Sequence, residues 1–574
     1  MLDKIYEFAK ENCGKIKSVD FKQKKIGGYI CIDTNGEYQR FEAIENPTLS
    51  SFPAIGNTGG SMTNIIIEKT DIVLGLNNSE KREEYYINKV NECCSYSLKL
   101  TPLTLFIKNT RENKDTAIAI QEQIKSIKIK NDLISFKINN EAIETDNDVV
   151  NAMLKVIPKN DKSEIGISSI SNKEKELCNE SVKFKFKSAG YDTPIAPFTK
   201  SKSAESYFQS GMLISRIGKD EIDIIKTGFE KLLNDEKHYN SFFKLMHWYS
   251  EELNDTQTKD DIFDFISFSN LEHENVIDEN NDKAKNEHQE ATQVLDAITK
   301  IDSSNIGNID DNIYHIAFCY APCDSRYRLY GYREWNVRNA LNNLKKFKND
   351  ATIDTLSGEI QTIDNLRSYL WYFVPAGTKE TEKYIKNTFG SNIDRLIYSV
   401  YDNTQIPTIF YKTSIDIATH FVAIDSNKKE DKRYNYKNYL NAIKTIKLYK
   451  IRKENNMQNK NAYQCGKIFA VYEKLQEKAT DGTSVANMFG MAKQYPSRVI
   501  NKIATLSKHH LNSSKIKNTG SEFYFKKMLD ELYDDIDTIP AKLNLDEQAD
   551  FILGYYHQKN ILNTKKDKEN ENNE

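Results

Sequence analysis

The chain has 574 residues and a mass of 66.3 kDa, too long for a single core, so roughly three to four domains are expected. Its 32 Tyr and 27 Phe within a 39% hydrophobic composition exclude a disordered chain, and no apolar run approaches the ~18 residues of a membrane-spanning helix. The net charge of −3 conceals a separation: residues 428–517 hold 20 Lys and Arg against 6 Asp and Glu, about +14, while the remainder carries about −17.

The first 13 residues read as an amphipathic helix without the continuous apolar core of a signal peptide. Lys24 to Arg40 reads as a β-hairpin turning at Asn35-Gly36. A glycine-rich loop follows (GNTGGSMTN, 56–64), then IIIEKTDIVLG as one broken or two short strands. Lys81 to Tyr96 is helical in pattern, and Asn131–Asn139 and Val182–Lys187 alternate as strands. From Ala204 to about Ser250 the pattern turns helical. Residues 271–311 are acidic and polar, an exposed insertion or connection. Asn312 to Arg333 returns to strands and Asn336 to Phe347 to helix. Beyond Leu370 nearly everything is helical, with Thr408 to Thr413 the last strand-like run. The tail from Asn563 is charged and low in complexity, and so expected to be disordered.

The fold class is therefore α+β: mixed α/β N-terminal and middle regions followed by an all-helical C-terminal bundle. The domains expected are 1–200, mixed α/β; 201–455, mixed then helical and ending in a basic helix; 456–562, a helical bundle; and the tail, 563–574. The eight cysteines are scattered with no repeated CxxC pair, which speaks against structural zinc and for reduced thiols in the cytoplasm.

The charge separation points to a polyanion partner for the basic segment. On a helix Lys437, Lys444, Lys447 and Arg452 share a side, with Lys432, Arg433 and Lys453 flanking them. Lys493, Arg498, Lys502 and Lys508 continue the basic run. Such a row lies along a phosphate backbone and makes binding salt-dependent. Interleaved Tyr434, Tyr436, Tyr439 and Tyr449 suit base stacking; the alternative is a solvated helix face whose tyrosines are core. If Asp324 to Tyr332 is a strand, Arg326, Arg328 and Tyr330 share one face with Tyr332, an arrangement suited to RNA contact; arginines paired with carboxylates explain it equally well. In the glycine loop Thr58, Ser61 and Asn64 carry short polar side chains for phosphate or base edges, although an ordinary surface loop has the same composition.

No catalytic pattern is present: no HExxH, GxSxG or Walker motif, and the vicinal His509-His510 would point ~100° apart on a helix. The chain is read as not an enzyme, without metal or cofactor.

Three C-terminal segments, NAYQCGKIFAVYEKLQEKA (461–479), YPSRVINKIATLSKHHLN (495–512) and LNLDEQADFILGYYHQKN (543–560), resemble the Csd family in order and spacing. These are the large subunits of the subtype I-C CRISPR surveillance complex, Cascade. TDIVLG and IAFCYAPCDSRYRLYGYREW are similar to the family's upstream pattern. The resemblance implies a non-catalytic reader and clamp. Its N-terminal domain would read the protospacer-adjacent motif beside the target, with Thr58, Ser61 and Asn64 the residues expected to do so. The rest would stabilise the R-loop and help recruit a helicase–nuclease. The partners implied are CRISPR RNA, target double-stranded DNA and the other Cascade subunits, with no membrane. It also implies a separate small subunit translated internally from Met457. Two other readings stand beside it: a metal-dependent nuclease with an unfamiliar site, and a stand-alone RNA-binding or scaffold protein.

Overall fold

A computed structural model describes residues 1–13, 21–45, 49–53, 60–127, 129, 132–157, 164–178, 183–185, 192–194, 216–251, 262–266, 311–320, 328–355, 358–423, 433–453, 458–480, 482, 484–517 and 521–571. They divide into two compact units. One takes in the described residues from 1 to 231, the other those from 232 to 571. The fold class is α+β.

The first unit opens with α1 (Leu2–Asn12) and the strands β1 (Phe21–Lys25), β2 (Gly28–Ile32), β3 (Tyr38–Ala43), β4 (Leu49–Pro53) and β5 (Glu68–Lys69). Helices α2 (Thr70–Val73), α3 (Glu80–Tyr96), α4 (Thr101–Glu112) and α5 (Lys114–Ser126) follow. Then come β6 (Leu133–Ile138), β7 (Glu141–Ala142) and α6 (Asn147–Val156). The main sheet runs β3-β2-β6-β5 with β7 on β6, and only β2–β6 is parallel. That parallel pair requires the long helical crossover supplied by α2–α5. Ile30, Ile32, Ile134 and Phe136 point into the core built with those helices.

The β2–β3 turn is the Asn35-Gly36 hairpin expected from sequence. Gly36 has φ +77°, and a Cβ there would stand 2.6 Å from the Pro102 carbonyl oxygen. Asp33 Oδ1 accepts the Asn35 and Glu37 amides, both at 2.9 Å. Asn139 and Asn140, with φ of 52° and 67°, make the tight β6–β7 turn. The remaining elements of this unit are β8 (Glu164–Ile167), β9 (Glu174–Leu177), β10 (Lys183–Lys185), β11 (Asp192–Pro194) and α7 (Lys219–Asn234), the last reaching the unit's end.

The second unit begins with a four-stranded antiparallel sheet in chain order: β12 (Tyr239–Asn240), β13 (Leu245–Tyr249), β14 (Ile313–Tyr320) and β15 (Arg328–Asn336). Next come α8 (Val337–Asp350), the short β16 (Ile353–Asp354) and β17 (Ile360–Gln361), and the helices α9 (Leu366–Trp371), α10 (Thr381–Phe389), α11 (Asn392–Tyr401), α12 (Thr408–Ala423) and α13 (Tyr436–Arg452). The C-terminal part holds α14 (Lys460–Thr480), α15 (Phe489–Ala492), α16 (Pro496–Leu511), α17 (Ser514–Lys517), α18 (Ser521–Asp534) and α19 (Leu545–Glu571). One apolar core runs from Phe242 to Leu562. That core lies on both sides of position 455.

Three local expectations change. Thr408–Thr413 is not a strand but the start of α12, which buries Phe410, Tyr411, Ser414, Ile415 and Ala418 at helical spacing. Five β-branched and aromatic residues among these six favour a strand locally, and the longer period overrides them. Within 204–250 only α7 is helical among the described residues, and LMHWY, an apolar run of ambiguous period, is the fully buried strand β13. The backbone of α19 runs to Glu571, past the point where a disordered tail was expected. The acidic stretch 271–310 lies outside the described residues.

Candidate nucleic-acid interface

Helix α13 carries most of the expected phosphate-binding row, and it is a core helix. It starts at a reciprocal cap between Asn435 and Asn438 and buries Tyr439, Leu440, Ile443, Ile446, Leu448 and Tyr449. Its cations from Lys444 onward are consumed internally. Lys444, 8% exposed, donates to the Thr362 carbonyl at 2.7 Å. Lys447 donates to the Thr352 carbonyl. Arg452 pairs with Asp350 at 3.2 Å and donates to the Ser399 and Thr404 carbonyls. Lys453 pairs with Asp546, and Lys450 with buried Asp550 at 3.0 Å.

Burial pushes Lys444 down to about 8 and lowers Arg452 as well. The outward stripe of Lys444, Lys447 and Arg452 read from sequence is therefore corrected, with Lys453 held beside it. Long basic side chains here satisfy carbonyls and carboxylates that would otherwise be buried alone. Tyr434, Tyr439 and Tyr449 are core residues rather than stacking platforms. Arg433 and Lys437 remain exposed, and Lys432 lies outside the described residues.

Helix α16 is different. From residue 482 to 521 the sequence contains no Asp or Glu. The helix buries Pro496, Val499, Ile500, Ile503 and Ser507. Arg498, Lys502, Thr505 and His509 recur at i, i+4, i+7 and i+11 on the exposed side, flanked by exposed Lys508. None of Arg498, Lys502 and Lys508 forms an ion pair among the described residues. Arg498 to Lys508 spans about 15 Å of helix. Leu506 is 43% exposed on the same helix. Lys493, just before α16, is only 5% exposed, and burial lowers its affinity for a proton against the opposing charge of Asp416. It is not an outward cation, which corrects its place in the row.

In the glycine loop, Gly60 has φ +69° with open space beside it, and Ser61 is exposed. Thr63 and Asn64 are buried, 0% and 2% exposed. The Asn64 backbone N–H donates to Glu68 Oε2 at 2.7 Å, while the Asn64 Oδ1 and Thr63 Oγ1 atoms have no hydrogen-bond partner among the described residues. Asn64 as a residue presented to DNA is thus corrected. The fully buried run Ile65–Ile67 draws it inward. Thr58 lies outside the described residues.

The Arg-rich strand is β15. Arg328 and Tyr330 pair with Tyr320 and Phe318, their side chains lie outside the described set, and so does Arg326 altogether. Tyr332 joins a network that sequence gave no sign of. Ser250 Oγ lies 2.7 Å from His315 Nε2, His315 Nδ1 lies 2.8 Å from the Tyr332 hydroxyl, and that hydroxyl donates to Glu334 at 2.6 Å. Trp248 stacks on the His315 ring at 5.0 Å. The residues come from three neighbouring strands and from Ser250 just after β13, and only the strands' register brings them together.

Among the described residues no three His, Cys, Asp or Glu converge on a metal position, and no helix is long and apolar enough to cross a membrane. The family model described as CRISPR-associated protein (Cas_Csd1) matches residues 2–562. No curated protein matches the chain.

Proposed function

The chain belongs to the Cas_Csd1 family of CRISPR-associated proteins, and from that premise we propose that it is the non-catalytic large subunit of an RNA-guided DNA surveillance complex. In this reading base pairing with the guide reads the target. The protein reads the flanking motif on duplex DNA, holds the opened strands and presents them to a separate helicase–nuclease. CRISPR RNA, target DNA and the other Cascade subunits are its partners.

The observation that carries the strand-holding role is the outer face of α16, where Arg498, Lys502 and Lys508 stand exposed in a stretch free of carboxylates. Unpaired cations at turn spacing neutralise phosphates without first breaking an internal ion pair. Exposed Arg433 and Lys437 extend the set. Lys450, Arg452 and Lys453 do not, because recruiting them would strand Asp550, Asp350 and Asp546. Motif reading is assigned to the exposed part of the glycine loop around Ser61, with Asn64 anchoring the loop through Glu68.

The test is the salt dependence of target binding by the assembled complex. Replacing Arg498, Lys502 and Lys508 together with Ala is expected to weaken binding similarly on all sequences and to reduce the log–log salt slope by about 2 to 3. An unchanged slope would remove this face from the interface.

A further inference from the structure

A cavity of about 570 Å³ opens in the first unit, where the β2–β3 turn, the β6–β7 turn, β7 and the starts of α4 and α6 converge. Its apolar wall is formed by Leu98, Pro102, Ile138 and Val149. Leu98 is 82% exposed, the most exposed large apolar side chain among the described residues. An apolar side chain this exposed at the wall of a cavity is the kind of surface a protein partner covers.

The rim is acidic. Glu141 and Asp146 line the cavity, and Asp148 stands beside them. The one ammonium present, Lys99, is held by Asp146 at 2.7 Å and Asp148 at 2.9 Å. Three carboxylates against one paired cation repel a phosphate backbone, which argues against nucleic acid. They complement a cation, and a half-open socket with an apolar wall, a polar rim and an exposed leucine beside it suits the anchor side chain of a protein partner.

We propose that this acid-rimmed socket docks another protein subunit of the CRISPR assembly, which inserts an apolar side chain flanked by Lys or Arg. The proposal rests on the reading that the chain works inside such a complex, and it is independent of α16.

The experiment places the photoreactive residue p-benzoylphenylalanine at position 98 of the full chain, within the assembled complex, and identifies the crosslinked peptide by mass spectrometry. The expected product joins position 98 to a different protein, at an apolar residue adjacent to Lys or Arg. Ala142→Trp, which fills the socket without removing a polar contact, is expected to lower the yield by about tenfold, the scale of an anchor residue. Glu141→Lys is expected to lower it too. A crosslink to nucleic acid or to a second copy of this chain overturns the proposal, as does a yield no higher than from the same residue at exposed Ile118. In a parallel arm without the photoreactive residue, Ala142→Trp is expected to reduce recovery in the complex while the free chain melts unchanged. Full recovery there also overturns it. If the α16 variants leave DNA binding unaltered while the crosslink forms, the strand-holding reading fails and the socket stands.

Discussion

Lys444 shows what a single buried cation does to the molecule. Its ammonium is turned onto the Thr362 carbonyl at 2.7 Å, and desolvation holds its pKa at about 8 against an ordinary value near 10.5. The unfolded chain therefore binds more protons than the folded one between these values, so the Lys444 contribution to stability rises as pH climbs through that window and is smallest below it. Comparing the parent with Lys444→Met by chemical denaturation should reveal a gap that moves in the parent's favour by roughly 1.5 kcal/mol between pH 8 and 9.5. A constant gap would mean the ammonium is hydrated. DNA affinity of the assembled complex should hardly respond to this change, in contrast to the α16 substitutions.

Helices α14 and α19 pack along much of their length, and two glycines set how closely they approach. A Cβ on Gly466 would lie 2.0 Å from the Phe551 carbonyl oxygen, and one on Gly554 would lie 2.0 Å from the Tyr463 carbonyl oxygen. Neither obstacle is a side chain able to rotate away, so the helices must part. Each of Gly466→Ala and Gly554→Ala is expected to cost about 1–3 kcal/mol or more, despite the better helix propensity of alanine. Thermal melts decide it: equal or higher melting temperatures would show that the crossing tolerates a methyl group. Both glycines lie in segments recognisable by family resemblance, yet nothing in their local sequence distinguishes a crossing glycine from a tolerated one. The reciprocal closeness appears only when the two helices, about 90 residues apart, are brought face to face. The hairpin turn at Asn35-Gly36 was legible because its chemistry is local.

At the scale of the whole chain, the second unit joins α12 and α13 to the C-terminal helices in one core. Met457 itself lies outside the described residues, between α13 and α14. A product beginning there would contain α14–α19 but lack Lys450 and Lys453. Asp550, 1% exposed, would keep the Asn459 amide and lose its cation, and Tyr556 would lose the Tyr439 ring. A separate small subunit must find new cover for that face within the assembly. Expression of the gene carrying Met457→Leu should eliminate a small co-expressed band while leaving the full-length chain, and persistence of the band would exclude this start. From sequence alone came the α+β class, most long helices, the family and the acid-poor basic stretch, because periodicity, turn chemistry and charge runs are written in neighbouring residues. Which lysines meet solvent was decided only by tertiary structure. The groups that claim them, Thr352, Thr362, Asp350, Asp546 and Asp550, lie some 80 to 100 residues away along the chain, and a buried carbonyl or carboxylate competes for an ammonium whatever the local pattern suggests.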